Sequence, residues 1–146
     1  MAVLVSRYNE LVTVRLLEGA RACFRDKGVP EARVDVIWVP GAFELPVAAE
    51  AAAASGRYTA LVALGCVVRG ETPHFEYLAG EATRGLGNVA LAHQLPVGFG
   101  VLTTDTLEQA LAGAGGAAGN KGYEAVAAAL TTADVLAQLT RAAPRD

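Results

Sequence analysis

Charge is scarce in this chain. Of its 146 residues, 18% are charged and 53% are apolar, whereas a soluble domain is usually about a quarter charged. With a mean hydropathy of +0.34, the shortfall implies that other subunits cover part of the surface. Basic clusters are missing as well: 12 basic and 15 acidic side chains leave a formal charge of −3. Nucleic acid and anionic membranes are therefore not expected partners. Long apolar runs are also lacking, since stretches such as residues 60–64 fall far short of the roughly 18 residues of a membrane helix. Residues 1–5 carry no basic leader and are too few for a secretory signal, so a cytoplasmic location is expected. The two cysteines, Cys23 and Cys66, have neither metal nor redox spacing and are expected to be buried, reduced thiols. Of the two histidines, His93 falls near a predicted helix end with no partner at metal-ligand spacing and reads as a surface residue.

What is present is an alternation. Four short apolar, β-branched runs (residues 2–5, 34–39, 60–68 and 97–102) are separated by segments of helical period. Leu11, Val14, Leu17, Ala20 and Phe24 form one predicted helical stripe, which Gly28 stops. Pro46 suits the first turn of a second helix that runs through alanines to Gly56. Thr72-Pro73 reads as the N-cap and first turn of a third, ending near Gln94. Asp105 with Glu108 reads as a capping box for a short helix. A glycine-rich joint, residues 113–119, leads to a last helix ending before Pro144. The pattern predicts one α/β domain over residues 1–146, with a parallel sheet covered on both faces. The nearly unbroken apolar run at residues 34–39 is what a strand buried on both faces should show. The alanine-rich patches, residues 48–54 and 125–129, are expected to be close-packed helix faces.

In such sheets ligands bind beyond the carboxyl ends of the strands. That rule selects Ser6-Arg7-Tyr8-Asn9, Gly41-Ala42-Phe43-Glu44, Arg69-Gly70-Glu71-Thr72-Pro73-His74 and Thr103-Thr104-Asp105. Gly70 would let the backbone approach a ligand, and the helix opening at Thr72 to His74 would offer N–H groups to an anion; a plain N-cap is the commoner meaning of such a stretch. His74 stands where it could shuttle a proton, although a lone histidine is more often structural. Glu44 either caps the Pro46 helix or accepts hydrogen bonds from a hydroxylated ligand. Tyr8 either stacks on a planar ring or simply packs. Asn120-Lys121-Gly122 can cap the last helix, with Lys121 either solvated or binding an anion or carbonyl.

Five segments combine into a more specific signal. They are Val5-Ser6-Arg7-Tyr8-Asn9; Pro40-Gly41-Ala42-Phe43-Glu44-Leu45-Pro46; Gly65-Cys66-Val67-Val68-Arg69-Gly70-Glu71-Thr72-Pro73-His74-Phe75-Glu76-Tyr77; Phe99-Gly100-Val101-Leu102-Thr103-Thr104-Asp105-Thr106-Leu107-Glu108-Gln109-Ala110; and Gly119-Asn120-Lys121-Gly122. In this order and spacing the chain resembles the lumazine synthase family over nearly its whole length. The resemblance implies a three-layer, flavodoxin-like fold with a four-stranded parallel sheet, and an active site between neighbouring subunits of a homopentamer, free or built into an icosahedral shell. It implies a transferase joining 5-amino-6-ribitylaminouracil to 3,4-dihydroxy-2-butanone 4-phosphate, giving 6,7-dimethyl-8-ribityllumazine and phosphate in riboflavin biosynthesis. No metal or organic cofactor is implied, and riboflavin synthase is a candidate partner. Carried over by position, Tyr8 would stack on the pyrimidine, Ala42 and Glu44 would bind ribityl hydroxyls, and Val67 and Val68 would meet the ring edge through their backbone. Asn9, Gly41 and Phe43 would belong to the same subsite. Glu71 and Thr72 would cradle the phosphate through their amides. His74 would transfer protons with Glu124 as its acidic partner, while Phe99 from the adjacent subunit and Lys121 would contact the ring.

The chain departs from the family pattern at one point. Where members place a phosphate-gripping Arg before the glycine joint, this sequence has Gly113, and a Lys expected four residues on is Ala117. Losing one charge-assisted hydrogen bond, about 1.5–3 kcal/mol, would weaken phosphate binding about ten- to a hundredfold. The departure keeps open a second reading, a subunit whose main role is assembly with catalysis weakened. A flavin- or phosphate-binding module is a third, by analogy of fold alone.

Overall fold

The computed structural model describes residues 1–141. Strands β1 (Ala2–Ser6), β2 (Asp35–Val39), β3 (Leu61–Val68) and β4 (Val97–Thr104) form one sheet in the order β2-β1-β3-β4, with every pairing parallel. Helices α1 (Glu10–Asp26), α2 (Leu45–Ala54) and α3 (His74–His93) connect them, followed by α4 (Leu107–Ala112) and α5 (Lys121–Arg141). Parallel strands need such crossovers, and helices on both faces follow. Val3 and Val5 of β1 point to a core shared with α1 and α5, whereas Ala2 and Leu4 point to a core shared with α2 and α3. The result is the expected three-layer fold. Its strand order is the flavodoxin-like one, whose direction reverses beside β1.

Several local expectations need correction. β2 is an edge strand: Asp35 and Ile37 are exposed and only Val39 is buried. Its apolar run does not mark burial on both faces, because the helices lie over β1 and β3 and leave β2 overhanging. In α1 the buried face runs through Val12, Leu16, Ala20 and Phe24, while Leu11 and Val14 of the predicted stripe face outward. Thr72 caps nothing; α3 starts two residues later with Pro73 at its N-cap and no side-chain cap. The capping box of α4 is Thr106 with Gln109, not Asp105 with Glu108. Asp105 is drawn away by Arg69, whose Nε donates to it at 2.7 Å, which leaves Thr106 Oγ1 to accept from Gln109 N at 3.1 Å. The glycine-rich joint folds as a small antiparallel hairpin of β5 (Ala114–Gly116) and β6 (Gly119–Asn120). The predicted stop at Pro144 lies outside the described residues.

Two features fix α5. Asn120 Oδ1 accepts from the backbone N–H groups of Gly122 and Tyr123 at 2.8 and 3.1 Å, the N-cap pattern. Gly98 lets α5 lie directly on β4, since a Cβ there would collide with the Ala125 carbonyl. Both cysteines are buried and unpaired. Among the described residues no helix is long and apolar enough to cross a membrane.

Candidate active site

The loops after β1, β2 and β3 close around a crevice of about 550 Å³ at the carboxyl end of the sheet. Two backbone bonds knit the first pair of loops: Arg7 N donates to Val39 O at 2.8 Å and Tyr8 N to Pro40 O at 3.0 Å. They hold Tyr8 over the mouth, 73% exposed. Asn9 adopts the left-handed conformation, and its Nδ2 donates to Cys66 O at 3.0 Å. Its side chain therefore fastens the β1 loop to the end of β3 and does not line the crevice.

After β2 the chain makes one tight turn, with Glu44 N donating to Gly41 O at 3.2 Å, before α2 begins with proline in its first turn. Ala42 is buried, Phe43 is exposed and Glu44 is half-buried at the crevice wall. Glu44 occupies the N-cap position of α2, but its side chain makes no capping hydrogen bond there. Its side chain lines the crevice and also a smaller pocket against α3. Val67 and Val68 end β3 at the floor, and Gly70, Thr72 and His74 complete the rim. Glu71 is exposed and lies outside the lining. The start of the 20-residue α3 borders the crevice through His74, Phe75 and Leu78, so its helix dipole favours an anion there.

Cys66, Phe75 and Leu78 also line the crevice, and the sequence reading missed them. Leu78 is four residues past His74, so a helical wheel drawn from His74 would have found it, whereas Phe75, adjacent in sequence, lies off that face. Burial pushes the Cys66 thiol up to about 11, which keeps it protonated and makes it wall, not nucleophile. No group of three or more His, Cys, Asp or Glu side chains among the described residues stands close enough to hold a metal ion.

A family model for 6,7-dimethyl-8-ribityllumazine synthase matches residues 1–137. The chain belongs to the lumazine synthase family. That family is one of enzymes, and it directs attention to the residues that the crevice does not contain.

Phe99, Lys121 and Glu124 line a separate cavity of about 880 Å³. It runs along the free edge of β4 between the end of α3 and the length of α5, and shares no lining residue with the crevice. Phe99 is 40% exposed and alternates with Gly98 and Gly100, whose missing side chains face α5; it therefore points to the α3 side. Lys121 Nζ stands 3.9 Å from Glu124 Oε1 at the start of α5. Within one chain Glu124 is thus a neighbour of Lys121 and not of His74. Gly113 ends α4, and a Cβ there would sit 3.1 Å from Leu102 Cδ2. Of the remaining sequence candidates, His93 is an exposed residue whose ring meets Glu50 of α2, and Thr103-Thr104-Asp105 adds no lining to either cavity.

Proposed function

We propose that the chain is an active lumazine synthase that condenses 5-amino-6-ribitylaminouracil with 3,4-dihydroxy-2-butanone 4-phosphate. The observation that carries this reading is the convergence of Tyr8, Ala42, Glu44, Val67, Val68, Thr72 and His74 on one crevice, with the Glu44 side chain making no capping hydrogen bond. Tyr8 stacks on the pyrimidine, Ala42 and Glu44 receive the ribityl hydroxyls, and the backbone at Val67 and Val68 meets the ring edge. The amides of Glu71 and Thr72 and the dipole of α3 take the phosphate.

The ring amine attacks the ketone with loss of water, phosphate leaves by elimination, and the second amine closes the ring with loss of a second water. Each step relocates protons, and His74 at the rim is placed to carry them. Acid/base help of this kind is worth about 10²–10⁴-fold, and alignment of two substrates supplies more.

The second half of the site comes from another copy. The exposed crevice mouth with Tyr8 and Phe43 and the edge cavity with Phe99, Lys121 and Leu91 are different surfaces of one chain. Apposing unlike patches is a heterologous contact, which forms a ring where the rotation between copies closes, and a homopentamer in the cytoplasm is the assembly we assign. A second reading, a shell-forming subunit with weakened catalysis, is favoured by Gly113 and by the carboxylates Glu71, Glu76 and Asp105 around the phosphate loop. A turnover assay with both substrates, run beside native mass spectrometry, separates the two. Product formation by a pentamer or a multiple of it supports the first; a shell without turnover leaves the second, and a monomer at micromolar concentration defeats both.

A further inference from the structure

Arg69 is the first residue past β3, and it is held on three sides. Its Nε donates to Asp105 Oδ1 at 2.7 Å, its Nη1 lies 3.5 Å from Glu76 Oε1, and its guanidinium stands 4.6 Å from the centroid of the Phe75 ring. Its backbone N–H donates to Thr104 O, at the end of β4, at 2.8 Å. Asp105 follows β4, whereas Phe75 and Glu76 belong to the first turn of α3. One side chain thus spans the loop Gly70-Glu71-Thr72-Pro73 and ties its far end to the sheet. The loop has little other anchorage: no side chain caps α3, and a Cβ at Gly70 would meet nothing within 4 Å.

We propose that Arg69 is a positioning residue, clamping Asp105, Glu76 and Phe75 so that the Glu71 and Thr72 amides and the His74 imidazole are held at the crevice mouth. It is not the substitute for the cation missing at Gly113. Arg69 does not line the crevice, and its single charge already faces two carboxylates. The inference rests on the lumazine synthase reading for what the loop binds. Arginine suits the task because its rigid planar fork can bond a carboxylate while its face stacks on a ring, which a point-charge ammonium does less well.

The test compares Arg69→Ala, Arg69→Lys and Asp105→Asn with the wild-type assembly in steady-state kinetics on both substrates. Arg69→Ala should lower kcat/KM for the sugar phosphate by about tenfold or more, the scale expected when reacting groups are misplaced. The KM for the pyrimidine should stay within about twofold, because Tyr8 and Glu44 are fastened elsewhere. Arg69→Lys should restore part of the loss. Asp105→Asn should move the same constants in the same direction by less, and it serves if Arg69→Ala does not fold. Inorganic phosphate, followed through the His74 ring resonances, gives a readout independent of turnover. The midpoint should rise about tenfold in Arg69→Ala, in line with the kinetic change. If the wild type makes no product yet responds to phosphate, the enzymatic reading fails and the titration still decides the role of Arg69. An unchanged phosphate midpoint, or an equal rise in both KM values, overturns the proposal.

Discussion

If the site is divided between two surfaces of one chain, as proposed, a quantitative consequence follows for mixed assemblies. His74→Ala damages only the crevice, and Phe99→Ala with Lys121→Ala damages only the β4-edge cavity, since the two cavities share no lining residue. The first variant should lose roughly one to three decades in kcat. The second loses a stacking partner, about 1 kcal/mol, and a charge-assisted contact, about 1.5–3 kcal/mol, so roughly two to three decades in kcat/KM. Unfold the two together, refold them at equal concentration, and each crevice is intact with even odds, as is the neighbour's edge that closes it. In a ring of heterologous contacts about a quarter of the sites should then be wholly wild type, although no wild-type chain is present. The assay is turnover per subunit, with native mass spectrometry confirming that the oligomers are mixed. Activity that stays at the average of the two pure variants, in oligomers shown to be mixed, would refute the shared site.

Other expectations follow from single residues. His74→Ala should lower kcat while leaving the affinity for a ribityl-pyrimidine analogue nearly unchanged, because alignment is left in place; a fall in affinity with kcat intact would return His74 to a structural role. Asn9→Ala removes the bond to Cys66 O and puts an ordinary residue at φ 61, so urea unfolding should show a loss of about 1–3 kcal/mol. Asn9→Gly should recover the backbone part, and equal losses in the two variants would show no strain there. Burial raises the Cys66 thiol from 9.0 to about 11, so the unfolded thiol gives up its proton first as pH rises. Fewer protons on the unfolded state mean that stability contributed by Cys66 is lost across that window, and Cys66→Ala should flatten the alkaline limb of a stability-against-pH curve. Gly113→Arg should lower the KM for the sugar phosphate and not that for the pyrimidine. It should bring no gain in helix stability, because Gly113 is the C-cap of α4 and a Cβ there presses on Leu102.

The fold was legible because its signals are local and redundant. Alternating β-branched runs and helical periods place all four strands of the main sheet within a few residues of where they lie, and Pro46, Gly28 and Asn120 each punctuate the chain for a stated chemical reason. What could not be read was competition between neighbours. Asp105 and Thr106 are both good helix caps by type, and only the distant Arg69 decides between them by engaging Asp105 at 2.7 Å. Likewise β2 has the composition of a central strand, yet the sheet order leaves it at an edge. Composition reports how apolar a strand is and says nothing of what lies over it.

The candidate site was legible to the same degree and for the same reason. The rule of carboxyl ends gathers Tyr8, Glu44, Thr72 and His74 without any structure, because it depends only on where parallel strands end. It cannot reach Phe99, which lies near the amino end of β4, nor Lys121 and Glu124, which open a helix on the sheet's other face. Phe99 and Glu124 had to come from resemblance, Lys121 had a ligand role only as one of two readings, and in one chain all three lie in a cavity of their own. The low charge content points the same way as this separation. The aromatic and aliphatic groups exposed around both cavities, Tyr8 and Phe43 on one side and Leu91, Phe99 and Leu139 on the other, are costly to leave in water at roughly 25 cal/mol per Å². Apposing the two surfaces would bury that area and, in the same step, bring Phe99 and Lys121 over Tyr8 and His74. Assembly and completion of the site are then one event, and a substitution that weakens the contact should lower both stability and turnover.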